Sequence, residues 1–180
     1  MKLQEHYLKN VVPAMREQFG YKNVMRVPRI VKVVLNVGVS SALKDAKAQE
    51  SIKETLRLVS GQMPVERKAK KSISNFKIRK GQVVGFSATL RGRRMQDFLE
   101  RLINLTFPRV RDFRGLRPES VDKKGSFSVG FSESVAFPEI RAGEIERQHG
   151  MEITVVTNAK NREEGYALLK HLGFPFREKK

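Results

Sequence analysis

The densest group of charged side chains lies at residues 66–80, where the chain reads ERKAKKSISNFKIRK. Seven of these residues are Lys or Arg and one is acidic, so the segment can neutralise the phosphates of a nucleic acid. Phe76 at its centre could stack on a base or a ribose, or anchor the segment in the core. A charge run is usually only a solvated surface. The length of this one and its central aromatic residue favour contact with RNA.

A smaller basic cluster consists of Arg91, Arg93 and Arg94, at the start of an expected helix. Cations oppose the positive end of the helix dipole there, which suggests an anion supplied from outside. Arginine stems also pack well as plain structure, so this alternative stays open.

The residues that usually perform catalysis are sparse. His6, His149 and His171 are far apart in the sequence and form no metal-ligand spacing, and neither a P-loop nor a GxGxxG motif is present. Glu144 and Glu146 are two apart on an expected helix, so they do not face each other. We therefore expect no enzyme, no cofactor and no metal site. An enzyme would need a site assembled from residues distant in the sequence.

Composition indicates the class of partner. There are 36 Lys and Arg against 19 Asp and Glu, a formal net charge of +17 on 180 residues, which favours a large polyanion. An anionic membrane is the weaker candidate because no apolar run approaches the roughly 18 residues of a spanning helix. No signal-peptide h-region is recognisable and cysteine is absent, so we expect a cytoplasmic protein without disulfides.

Strand patterns position the polar residues. Residues 29–38 and 82–91 alternate between an apolar and a mixed face, and residues 126–131 and 151–157 alternate in the same way. The mixed faces carry groups that can bond phosphates, 2′-hydroxyls and base edges, namely Lys32, Asn36, Ser87, Thr89, Arg91, Ser128 and Thr154. An ordinary solvated sheet face is the alternative. The charge excess favours RNA.

Helical patterns occupy much of the remaining chain. A first helix is expected over 3–19, kinked or split by Pro13. A second begins at a cap on Ser40 or Ser41 and ends at Gly61.

In the C-terminal half we expect a helix up to Pro108, a basic loop over 109–124, and a last helix opened by a capping box from Asn161 to Glu164. Strands and helices mix without a strict βαβ rhythm. This predicts an α+β fold in a single RNA-binding domain over 1–180, with helices on one face of an antiparallel sheet and an open RNA-binding face, plus a long basic loop.

Several motifs follow one another in the order of a known family: VPRI at 27–30, LNVG at 35–38, KSISNFKIRKG at 71–81, TLRG at 89–92, FPRVRDFRGL at 107–116, FPEI at 137–140 and GFPFR at 173–177. Over essentially its whole length the chain resembles the bacterial large-subunit ribosomal protein that binds 5S ribosomal RNA, number five in its series. The resemblance implies a protein that helps attach 5S RNA in the central protuberance, beside large-subunit RNA and other large-subunit proteins. It also implies a loop that reaches transfer RNA in the P site, and an edge that touches small-subunit head protein number thirteen.

Carried over residue by residue, the resemblance implies 5S RNA contacts at Asn36 in LNVG, Gln62 in SGQ and Thr89 in TLRG. With their polar and basic neighbours, the expected 5S RNA set is Arg29, Lys32, Asn36, Gln62, Ser87, Thr89 and Arg91. The expected transfer-RNA loop comprises Lys70, Lys71, Ser72, Ser74, Asn75, Lys77, Arg79 and Lys80. The intersubunit bridge is expected at the FPEI segment and at Arg109, Arg111, Asp112, Arg114 and Arg117.

The sequence departs from the family pattern at three places. Met63 stands where the family usually has Lys, which removes a cation near the RNA. VDKKGSF at 121–127 replaces FDGRGNY, and FSESVAFPEI at 131–140 has a less basic lead-in to FPEI. Two alternatives remain: a free RNA-binding translation or ribosome-assembly factor and, more remotely, an RNA-modifying enzyme.

Overall fold

The computed structural model describes residues 3–39, 45–140 and 149–177. Within them, five strands form an antiparallel sheet with the order β2-β3-β1-β5-β4. The strands are β1 (Ile30–Gly38), β2 (Val65–Lys68), β3 (Val83–Leu90), β4 (Phe127–Phe131) and β5 (Met151–Thr157). The α-helices are α1 (Leu3–His6), α2 (Val12–Phe19), α3 (Ala46–Ser60), α4 (Gly92–Arg101), α5 (Phe107–Arg109) and α6 (Arg162–His171). The predicted α+β class is confirmed.

Strands β1 and β5 follow the alternation of the sequence, whereas both sides of β3 are largely buried. In β1, Val33, Leu35 and Val37 are buried while Asn36 is exposed. The short strand β2 was not predicted, because VERK contains no apolar alternation. It pairs antiparallel with β3 and covers the first part of the segment that the sequence assigned to a loop at 66–80.

The N-terminal helical run accommodates Pro13 through a wider helical turn, a π-helix, just before it. Pro13 has no N–H to donate, and its ring would clash with the carbonyl of Lys9, four residues earlier. A π-helix, Tyr7–Val11, therefore separates α1 from α2, and the Val12 N–H donates to the Tyr7 carbonyl. The expected division at Pro13 takes this form. A second π-helix, Leu102–Thr106, precedes Pro108 in the same way.

Helix ends are determined by local hydrogen bonds. The N-cap of α3 is Asp45, whose side chain accepts from the N–H groups of Lys47 and Ala48, so the cap predicted at Ser40 or Ser41 was wrong. Residues 40–44 themselves lie outside the described part of the chain. The predicted end of α3 at Gly61 is confirmed by its left-handed φ of 69°.

The predicted N-cap of α6 at Asn161 is confirmed, but Glu164 bonds the N–H of Lys160, one residue before the N-cap, instead of completing the capping box. Asn161 Oδ1 accepts from the Glu164 N–H at 2.9 Å, and Glu164 Oε2 accepts from the Lys160 N–H at 2.9 Å. The Glu164 carboxylate is buried and is partnered by Arg26 at 3.5 Å. The buried Glu164 carboxylate is therefore satisfied inside the protein.

The chain divides into two compact units. Unit 1 comprises residues 1–33, 90–129 and 154–180, and unit 2 comprises 34–89 and 130–153. The core of unit 1 includes an aromatic cluster in which the Phe174 ring lies 6.1 Å from Phe107 and 5.7 Å from Phe127. The core of unit 2 includes the buried residues Leu35, Leu56, Val59, Phe86 and Phe137. The sequence had predicted a single domain over 1–180.

Candidate nucleic-acid interface

In unit 2 the structure joins two residues of the expected 5S RNA set. Gln62 follows the left-handed turn at the end of α3, and its Nε2 donates to the Thr89 carbonyl of β3 at 3.1 Å. The Ser60 hydroxyl donates to the Gln62 carbonyl at 2.9 Å, so the backbone of Gln62 is held as well. Both side chains are half-buried, which leaves part of each accessible.

Asn36 lies in β1, the strand next to β3 in the sheet. Its side chain is exposed, as alternation predicted. Gly85 of β3 explains the close approach of these strands, because a Cβ there would lie 2.9 Å from the Val37 carbonyl oxygen. Only glycine fits at that position, so this part of the polar side carries no side chain on β3.

Of the expected 5S RNA contacts in unit 2, only Ser87 is buried, with 4% of its surface exposed. Its hydroxyl accepts from Arg67 Nε at 2.7 Å, and Arg67 comes from the edge strand β2. Arg67 is itself exposed, so its guanidinium lies over Ser87 on the polar side of β3. Sequence reasoning missed Arg67 as a site residue. The only signal was its position in the basic run, which did not reveal the strand.

The remaining members of the set belong to unit 1. Arg29 and Arg91 are exposed and Lys32 is half-buried. The Arg29 N–H donates to Asn158 Oδ1 at 2.6 Å, and Asn158 in turn donates its N–H to the Arg29 carbonyl at 3.1 Å, which fixes the start of β1. Arg91 is the N-cap residue of α4, where its side chain makes no capping hydrogen bond.

The basic arm, defined as residues 70–80, continues the hairpin of β2 and β3. Ala69 and Gln82 are joined near its base, where the Ala69 N–H donates to the Gln82 carbonyl at 2.9 Å. Further out, Ile73 and Ile78 form an antiparallel bridge. A tight turn closes the tip, with the Lys77 N–H donating to the Ser74 carbonyl at 2.9 Å.

All the basic side chains of the arm are exposed. Phe76 at the tip is 68% exposed, which excludes the alternative that it anchors the arm in the core. Lys77 has a φ of 54°, a left-handed conformation that is uncommon outside glycine and asparagine. The Ser72 hydroxyl accepts from the Lys80 N–H at 2.9 Å and so serves the arm's own structure.

The residues expected at the intersubunit bridge begin at Arg109, the last residue of α5, and continue along the segment after it. Arg109, Arg111, Asp112, Arg114 and Arg117 are all exposed. The segment is held against the C-terminal residues, because the Leu116 N–H donates to the Pro175 carbonyl at 2.7 Å and Arg177 Nε donates to the Arg114 carbonyl at 2.8 Å.

The other part of the expected bridge, FPEI at 137–140, belongs to unit 2. Its two apolar residues, Phe137 and Ile140, are buried. Glu144 and Glu146, which the sequence placed on a helix, lie outside the described residues.

Within residues 3–39, 45–140 and 149–177, no three His, Cys, Asp or Glu side chains come together as a metal site would require. No helix of this described part is long and apolar enough to cross a bilayer. The arrangement supplies hydrogen-bond donors, cations and an exposed aromatic ring on fixed backbone. Such groups bind a polyanion by charge neutralisation, hydrogen bonding and stacking.

A basic α+β protein with these features fits the class of ribosomal RNA-binding proteins, and comparison with known proteins identifies the family. Residues 23–79 match the model of Ribosomal protein L5, and residues 83–176 match the model of that ribosomal family's C-terminus. The chain therefore belongs to the ribosomal protein L5 family.

Its similarity to relatives extends over nearly the full length. It is 52% identical to the large ribosomal subunit protein uL5 of Dictyoglomus turgidum over 176 residues, 98% of each chain. It is 51% identical to that of Desulfatibacillum aliphaticivorans, again over 98% of each, and 49% identical to that of Chloroflexus aurantiacus over 99% of each. Membership makes the protein a structural component of the large ribosomal subunit and not an enzyme, as the sequence predicted.

Proposed function

We propose that the protein binds 5S ribosomal RNA through the polar side of β1 and β3, and so helps attach that RNA in the central protuberance of the large subunit. The observation that supports this most directly is the hydrogen bond between Gln62 and Thr89, two residues that the family resemblance implies as RNA contacts. They lie 27 positions apart in sequence, yet α3 and β3 bring them together. Asn36 on the adjacent strand offers an exposed amide, which can donate to phosphates and base edges.

Charge neutralisation supplements these polar contacts. Arg29, Lys32 and Arg91 in unit 1 serve as phosphate partners, and Arg67 adds a cation on β2 in unit 2. Phosphate contacts fix position, while the amide and hydroxyl groups read bases and 2′-hydroxyls. Other contacts of the basic surface go to large-subunit RNA and neighbouring large-subunit proteins.

The 5S RNA contact is tested with Asn36→Ala and Thr89→Ala. Each should weaken 5S RNA binding about tenfold, since each removes polar contacts worth roughly 1–3 kcal/mol. Binding is measured by gel shift against 5S RNA and an unrelated RNA, with thermal denaturation as the check on folding.

Asn75→Ala is the matched control for this test, because it makes the same change on the basic arm and should leave 5S RNA affinity unaltered. Unchanged affinity in both Asn36→Ala and Thr89→Ala would refute the proposed docking side.

The basic arm, in our proposal, reaches transfer RNA in the P site. Its support is geometric: a hairpin held at Ala69 and Ile73 carries exposed cations and the exposed ring of Phe76 to its tip. Of the expected arm contacts, Lys70, Lys71, Lys77, Arg79 and Lys80 provide charge, and Ser74 and Asn75 provide hydrogen bonds at the turn.

Changing Lys71, Lys77 and Arg79 together to Gln should reduce transfer-RNA retention in the P site while sparing 5S RNA affinity. Removing each phosphate contact should flatten the log–log salt dependence by roughly 0.7–0.9. Filter binding of transfer RNA to reconstituted ribosomes measures the effect. The control removes the same number of charges from exposed sites elsewhere, at Lys9, Lys22 and Lys170. An equal drop in 5S RNA affinity in the arm variant would contradict the assignment.

For the third contact, to small-subunit head protein number thirteen, we propose the exposed charged segment from Arg109 to Arg117. Its support is that the backbone is pinned by Leu116 and Arg177 while the side chains of Arg109, Arg111 and Asp112 are exposed. A segment fixed in this way presents charges with little loss of entropy on docking.

A further inference from the structure

An apolar cavity of about 410 Å³ lies within unit 1. It is lined by the N-terminal helical run, the start of β1 and one side of α4, with the apolar residues Leu3, Tyr7, Leu8, Val31, Met95 and Leu99. Its volume falls in the range of small-ligand sites, roughly 300–1,000 Å³. Apart from Arg29, none of its lining residues belongs to the contacts proposed above.

The cavity presents apolar surface to solvent. Leu8 is 59% exposed and Val31 is 40% exposed, whereas Met95 and Leu99, which also line the cavity, are buried. Val31 lies on the same side of β1 as the fully buried Val33, so alternation would have predicted it to be covered. Contiguous exposed apolar surface of this kind commonly marks a binding site.

The rim of the cavity is basic. Arg29 and Gly92 line it, and the exposed Arg91, Arg93 and Arg94 flank Gly92 in sequence. Asp97 offsets part of this charge, with a carboxylate oxygen 3.9 Å from Arg93 Nε. Gln4 and Gln96 add amide groups to the lining.

Tyr7 also lines the cavity, and its ring is held in a fixed position. Its hydroxyl donates to the Pro28 carbonyl at 3.1 Å, which holds the ring in place. Burial raises the pKa of Tyr7, and the positive charge of Arg29 partly opposes that rise, so the guanidinium field reaches the cavity. An aromatic ring beside a cation suits a nucleobase carrying a phosphate.

We propose that this cavity binds one unpaired nucleotide of ribosomal RNA, whose base enters beside Tyr7, Leu8 and Val31 and whose phosphate lies against Arg29 and Arg91. An apolar protein side chain would fill the interior but would leave the basic rim without a partner. A duplex would meet the rim but could not enter. A nucleotide with its base splayed out satisfies both features. The inference rests on the proposed RNA-binding function.

The test compares a short single-stranded oligoadenylate with a short RNA duplex, using the full-length protein and fluorescence anisotropy. The pocket variant combines Leu8→Ser with Val31→Thr, which removes the apolar wall at two exposed positions. Its control combines Val24→Thr with Met25→Ser, an exposed apolar pair elsewhere in unit 1. The pocket variant should bind the single strand about tenfold more weakly, because stacking contributes roughly 1–3 kcal/mol per base. Duplex affinity and the control should be unchanged.

Arg29→Gln provides a second variant at an exposed side chain. It should flatten the salt dependence for the single strand by roughly 0.7, which corresponds to one phosphate contact fewer. Equal single-strand affinity in the wild type and the pocket variant would overturn the inference, and so would a parallel loss of duplex affinity. Unchanged RNA affinity with weaker retention on large subunits would assign the cavity to a protein and overturn it as well. A wild-type protein that binds neither RNA would instead refute the proposed function.

Discussion

At the scale of single residues, Arg67 has the most consequence for the site. It reaches from β2 to the Ser87 hydroxyl of β3, and so covers a group that alternation had placed among the RNA contacts. A guanidinium that lies on the polar side of a strand can bind phosphate or the edge of guanine in a fork geometry. In the proposed interface, Ser87 would position Arg67 and Arg67 would contact the RNA.

Arg67→Ala should weaken 5S RNA binding about tenfold, because hydrogen bonds to charged groups contribute roughly 1.5–3 kcal/mol. The folded state should persist, since the arginine side chain is exposed. Lys68→Ala is the neighbouring control, as it removes one charge from the same strand without disturbing Ser87. Gel-shift titration would detect the difference. Equal losses in the two variants would show that only total charge matters there.

The contrast between Asn36 and Ser87 shows how far residue-level prediction extends. Alternation alone placed Asn36 on the accessible side of β1, and the structure agrees. Alternation also placed Ser87 on the accessible side of β3. The side chain is buried, however, because β2 pairs with β3 at this position. That strand has four residues without an apolar pattern, so nothing in the local sequence revealed it. Long-range pairing decided the accessibility of this residue.

At the scale of elements, prediction succeeded where the signal was local. The glycine end of α3, the Asn161 cap of α6 and the alternation of β1 depend on residues within a few positions of one another. The cap at Asp45 was missed because several Ser and Asp residues precede α3 and each can cap a helix. The π-helices before Pro13 and Pro108 were not predicted, because helix propensities do not describe a change to hydrogen bonds five residues apart.

The turn before β4 and helix α6 approach each other through glycine. A Cβ on Gly125 would lie 2.7 Å from the Ala159 Cβ and 2.9 Å from the Asn161 carbonyl oxygen. A Cβ on Gly165, inside α6, would collide with the backbone of Gly125. The Thr157 hydroxyl donates to the Gly125 carbonyl at 2.8 Å and holds the turn in this position. Both glycines are required by backbone proximity.

Gly165→Ala should therefore destabilise the protein by roughly 1–3 kcal/mol through overpacking. This is the reverse of the usual gain of about 1 kcal/mol when alanine replaces glycine inside a helix. Urea denaturation measures the free energy of unfolding. Gly130→Ala is the matched control, because a Cβ there meets nothing within 4 Å and stability should hardly change. A stabilised Gly165→Ala variant would mean that the turn moves away without cost.

At the scale of the whole molecule, the formal charge of +17 governs association more than fold. The expected contacts are distributed over β1 and β3, the basic arm and the segment from Arg109 to Arg117. We expect any one of these groups alone to bind weakly at physiological salt, since an affinity based on phosphate contacts falls steeply as salt rises. On the large subunit, the proposed 5S RNA contacts would act together with those to large-subunit RNA and neighbouring large-subunit proteins, because binding at one of them keeps the others close to their partners.

We therefore expect the protein to remain stoichiometric on large subunits washed at a salt concentration that dissociates its isolated complex with 5S RNA. Quantitative mass spectrometry of subunits before and after the wash, relative to other large-subunit proteins, gives the measurement. The Lys71, Lys77 and Arg79 variant should be retained equally, because the arm is proposed to contact transfer RNA, which the wash removes. Loss of the protein under conditions that spare its neighbours would indicate a factor that visits the ribosome transiently. Attachment at several sites predicts that the protein is retained, because a contact that opens in high salt can close again before the others release.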